Sequence, residues 1–162
     1  MNSAHIHLLL NHFPIILLIV GFIILVVALI IKNKTLKITA LVIFMCGSLI
    51  TIPTFFSGEN AEDVVENLPE VKKEYIENHE KQGQIFAILF YQLGIISFIG
   101  IWGISREKKF TSWFNFLILF FAAFSLYFAI NTGQSGGEIR HSEIRKEVPT
   151  NGIEREKIEV EH

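Results

Sequence analysis

Four uninterrupted apolar runs dominate this sequence, and each is long enough to match the thickness of a bilayer. A run of about 18 or more apolar residues reads as a transmembrane helix, because roughly 20 residues at helical rise cross the hydrocarbon core. The runs fall at about residues 7–31, 36–56, 84–104 and 110–131. They predict an all-α integral membrane protein, an antiparallel four-helix bundle in one domain over residues 1–147. A tail over residues 148–162, with mixed charge, Pro and Gly and little to bury, is expected to be disordered. No Lys or Arg precedes the first run and no small-residue cleavage site follows it, so it reads as an uncleaved helix and not a signal peptide. Pro14 either starts the first helix or kinks a longer one.

The loops predict orientation. The turn after the first run carries Lys32, Lys34 and Lys37 and no acid, and the turn after the third carries Arg106, Lys108 and Lys109 against Glu107. The first thirteen residues have no Lys or Arg, and the segment from Ser57 to Gly83 has three Lys against eight Asp or Glu. Positive charge stays cytoplasmic, so both short turns are expected inside and both termini and the acidic loop outside. The expected location is the cytoplasmic (inner) membrane of a bacterium. Trp102 and Trp113 fit as anchors near the inner interface. A net charge of −2 with no basic cluster does not point to nucleic acid.

This topology sends most of the polar chemistry to one end. His5, His7 and His12 open the first helix, and His79 lies on a stripe with Val71, Tyr75, Ile76, Gly83 and Phe86 at three-to-four spacing. Arg140 and His141 follow the fourth helix. Five of the six histidines therefore sit at the outer face, and only His162 is remote. Histidine binds haem iron and transition metals through a neutral ring nitrogen, and a four-helix bundle offers an apolar slot between facing helices. The first reading is a b-type haem held by His7, His12, His79 and His141, with Arg140 on a propionate. His12 with His79 is the first expected axial pair and His7 with His141 the second. Phe13, Phe55, Phe56, Phe86, Phe90, Phe124 and Phe128 are the expected walls.

Carboxylates accompany the histidines, and this opens a second reading. A non-haem zinc, iron or manganese centre would take His12, His79 and His141 with Glu62 and Glu80. A third is a structural subunit of a larger membrane complex, with the polar cluster as its docking surface. The bland reading of each residue is a solvated or capping side chain, since polar groups are costly only at depth in a bilayer. Cys46, Gly47 and Ser48 read as small residues for close helix packing. Nothing marks a nucleophile–base arrangement, a phosphate loop or a redox Cys pair, so the reading leans away from an enzyme and toward a carrier.

The opening His7-Leu-Leu-Leu-Asn-His12-Phe13-Pro14-Ile15 resembles the start of a bacterial four-helix membrane family, domain of unknown function 2231. Ser57-Gly58, His79 and Gly136-Gly137…His141 are similar to that family's later motifs, and the resemblance covers about residues 5–145. Leu8 stands where many members have Pro, and Glu-Ile-Arg-His stands at the family's Tyr-x-His-Gly. The resemblance implies the four-helix membrane fold and the four-histidine set, and no particular activity. The expected partners are the lipid bilayer, a quinol or redox protein exchanging electrons, and a second copy or a larger complex.

Overall fold

A computed structural model describes residues 2–68 and 71–145. The expected tail lies outside the described residues. The elements are α1 (Ser3–Leu10), α2 (His12–Ile30), α3 (Lys34–Val65), α4 (Lys73–Ser105), α5 (Thr111–Arg140) and a closing 3-10 turn (Ser142–Ile144). With α1 and α2 taken together, four helical segments are long and apolar enough to cross a membrane. Going round the bundle, α2 packs on α3, α3 on α4 and α4 on α5, and a thinner α2–α5 seam closes the ring. Helices α2 and α4 are therefore diagonal, as are α3 and α5, while α1 continues α2 and packs on α3.

Fully buried Leu18, Leu25, Leu41, Phe44, Phe90, Leu93 and Ile118 fill the centre. Small residues let the backbones approach them, as apolar surroundings favour. A Cβ on Gly47 would sit 2.5 Å from the Phe90 ring, and one on Gly94 would overlap the Ser48 side chain. The outward faces stay apolar, with Ile95, Phe98, Phe116 and Phe120 all exposed.

The two short turns are built alike. Lys32 (φ 54°) and Glu107 (φ 52°) are the left-handed residues that end α2 and α4. Behind them the Asn33 N–H donates to Ala28 O and the Lys108 N–H to Gly103 O, both at 3.0 Å. These are the reverse bonds of a Schellman-type helix end.

The helices run further than the apolar runs indicate. α3 passes through Pro53 and nine residues beyond Phe56 to Val65, and α4 begins at Lys73, so the expected Ser57–Gly83 loop shrinks to residues 66–72. Polar side chains fold back on their own helix here, so their donors are satisfied within it. The hydroxyls of Thr51, Thr54 and Ser57 donate to Gly47 O, Ile50 O and Thr54 O, and the Asn60 amide donates to Phe56 O. At the chain start the longer, interrupted helix is found. Asn11 keeps right-handed helical backbone (φ −60°, ψ −26°) between α1 and α2, three residues ahead of Pro14. Asn2 caps α1 through its side chain, and Ser3 Oγ donates to Asn60 O on α3.

Candidate functional site

One end of the bundle opens into a cavity of about 710 Å³, lined from all five helices. His7 from α1 and His79 from α4 approach each other across it, with ring centroids 6.2 Å apart and planes at 75°. The backbones of α1 and α4 stay apart, and the two rings reach toward each other across the gap.

Each ring is held in the same way. His7 Nδ1 lies 3.1 Å from Thr54 O and 3.3 Å from Ser57 Oγ. His79 Nδ1 lies 3.1 Å from Thr132 O and 3.2 Å from Ser135 Oγ. A carbonyl oxygen only accepts, so Nδ1 carries the proton in both rings and Nε2 keeps its lone pair. Ser57 and Ser135 in turn donate to those same carbonyls. A glycine seats each ring: a Cβ on Gly58 or on Gly136 would stand 3.0 Å from Cε1 of His7 or His79. The unit is a histidine on one helix received by Thr-x-x-Ser-Gly on the next, and it occurs twice.

The walls are mostly apolar, with Pro14, Ile15, Phe55, Ile76, Phe86 and Ala87 among them. Gly133, exposed on α5, also borders the cavity. Of the other Phe expected as walls, Phe13, Phe56 and Phe124 face outward, Phe90 is in the central core and Phe128 packs against it.

The remaining expected residues are at the rim. His12 and Arg140 line the cavity and are exposed. His141 is exposed and pairs with Glu143 at 2.9 Å. That carboxyl is held below the usual carboxylate range by its own backbone N–H and then by His141. Glu62 and Glu80 line the cavity, but Glu80 accepts from Gln84 at 3.0 Å. Among the described residues, no three His, Cys, Asp or Glu side chains converge as a metal-ligating group. The rings that meet are thus His7 and His79, one from each expected axial pair.

Sequence reasoning missed Arg145. It donates to Glu138 O at 2.8 Å and Ile139 O at 3.1 Å, and stacks over Tyr75 at 4.5 Å. It ties the end of α5 to the start of α4 beside the mouth. Asn11 was missed too. It faces the cavity one turn below His7, and its buried Oδ1 has no hydrogen-bond partner.

Chemically, the pair brings two imidazole rings to one cavity. A metal bonded to one nitrogen of each ring at about 2.0–2.1 Å places the ring centroids on the order of 6 Å apart. The observed separation fits that span. Compared with protein-family models, curated proteins and solved structures, the chain matches none.

Proposed function

We propose that this cavity binds a b-type haem through His7 and His79, and that the protein carries electrons at the outer face of a bacterial cytoplasmic membrane. The observation that carries the reading is a pair of histidine rings held alike across one cavity, with no third His, Cys, Asp or Glu grouped with them among the described residues. Zinc in a protein site asks for three or four protein ligands. Haem brings its own equatorial nitrogens and asks for one or two axial ones. When bound, haem supplies one-electron redox chemistry.

The chain's own residues do the rest. Thr54 O and Thr132 O hold both imidazoles in the Nε2-ligating tautomer and raise their basicity. Ser57 and Ser135 keep those carbonyls in place. The cavity volume lies within the 300–1,000 Å³ typical of cofactor sites. The apolar walls suit a flat ring, and Arg140 at the rim is placed for a propionate. Apolar outward faces and basic short turns support four membrane spans with the histidine end outside. The electron partner on this reading is a quinol or a redox protein.

The test is an optical spectrum of the detergent-purified chain, produced with ample haem, before and after dithionite. The expected result is a sharp Soret band that shifts on reduction, with narrow α and β bands. It should disappear in His7→Ala and in His79→Ala and persist in His12→Ala. A featureless spectrum, or one that survives the paired loss of His7 and His79, overturns the assignment.

A further inference from the structure

At the end opposite the histidines, a second cavity of about 480 Å³ opens between the two short turns. Lys32, Lys34 and Lys37 line it from one side, and Glu107, Thr111 and Asn115 from the other. Lys34 pairs with Glu107 at 3.4 Å, which leaves the balance of charge around the cavity positive. Two further features point inward. α5 begins at this wall without a side-chain cap; its Thr111 N–H donates to Lys108 O, and the positive end of the helix favours an anion there. Asn115, only 3% exposed, lines the cavity with a buried Oδ1 that has no hydrogen-bond partner. A buried carboxamide oxygen without a donor is uncommon and calls for one from a ligand.

Together these features specify an anion that also carries a donor. Phosphate oxygens suit the lysines and the positive end of α5, and a neighbouring hydroxyl suits Asn115. We propose that this cavity holds the headgroup of an anionic phospholipid, a phosphodiester bearing hydroxyls such as phosphoglycerol. A lipid is favoured over a soluble ester because Phe116 lines the same mouth with its ring 64% exposed, giving an acyl chain an apolar surface to follow. Basic pockets between membrane helices are a known mode of headgroup recognition. The inference rests on the reading of the long helices as membrane spans and is independent of the haem.

The experiment uses the full chain in detergent, with bound lipid counted by native mass spectrometry after addition of phosphatidylglycerol or phosphatidylcholine. One phosphatidylglycerol per chain is expected, retained at least about tenfold over phosphatidylcholine. The joint change Lys32→Gln with Lys37→Gln is expected to lower retention at least about tenfold. Asn115→Leu should lower it as well, and Lys37→Arg should preserve it. Equal retention of the two lipids, or unchanged retention in the double lysine variant, overturns the site. Displacement of the lipid by an equal concentration of free glycerol phosphate overturns the lipid source and assigns the cavity to a soluble phosphate ester.

Discussion

The two helical hairpins set the same polar frame on different scaffolds. In the second, His79 rides on α4, one unbroken helix of 33 residues. In the first, His7 rides on α1, eight residues long and divided from α2 at Asn11. Yet the receiving helices match closely. The Thr54 and Thr132 hydroxyls donate to Ile50 O and Phe128 O, and the Ser57 and Ser135 hydroxyls to the Thr54 and Thr132 carbonyls. Both short turns match as well, at Lys32 and Glu107. The position of each histidine is therefore set by the helix that receives it more than by the helix that carries it.

The largest expected effect breaks the frame at its centre. His7→Ala and His79→Ala should each weaken haem retention at least about a hundredfold, beyond the 10–100-fold typical of supporting contacts. Haem titration of both variants checks this, and equal losses would confirm that the two halves act alike. Next comes the seam the hairpins share. Gly94→Val on α4 would drive a side chain into Ser48 on α3 and should cost about 1–3 kcal/mol of stability, read from thermal or denaturant unfolding. The haem content of the chains that do fold should stay close to one.

A smaller and more discriminating effect is expected at the glycines. Gly58→Ala and Gly136→Ala each press on one imidazole and should weaken haem binding about tenfold. If α1 yields and α4 does not, Gly58→Ala will be the milder of the two. The smallest effect belongs to Ser57→Ala and Ser135→Ala. The carbonyl partner of Nδ1 remains, so a change of about two- to fivefold in affinity, with a small shift in reduction potential, is expected from titration and potentiometry.

The four long helices and both short turns could be read from hydropathy and charge, because an apolar run longer than about 18 residues has few other uses. The helix ends could not. Pro53 and the polar residues from Ser57 onward look like a terminus, yet α3 runs on to Val65 with the Ser57 hydroxyl bonded back onto it. The gathering of histidines at one end was legible, but their pairing was not. His12 is closer to the apolar run, whereas His7 carries the ring that faces His79. The signal that could have separated them is the doubled Thr-x-x-Ser-Gly, at Thr54 and again at Thr132. It lies 47 residues after one histidine and 53 after the other, and this unequal spacing hides the repeat. Arg140 was singled out for its place beside His141, yet Arg145 is the guanidinium that folds back onto α5 and Tyr75.

The brevity of α1 has a kinetic consequence. A helix below about 12–15 residues is marginal by itself, so α1 owes its order to α3, to the Asn2 cap and to the Ser3–Asn60 bond. Its amides should exchange with solvent hydrogen through local openings well below the cost of global unfolding, while those of α4 beyond Gly83 stay protected. On the haem reading, His7 is carried by the part of the bundle expected to open first, and the side of the cavity it closes is where a large flat guest would enter.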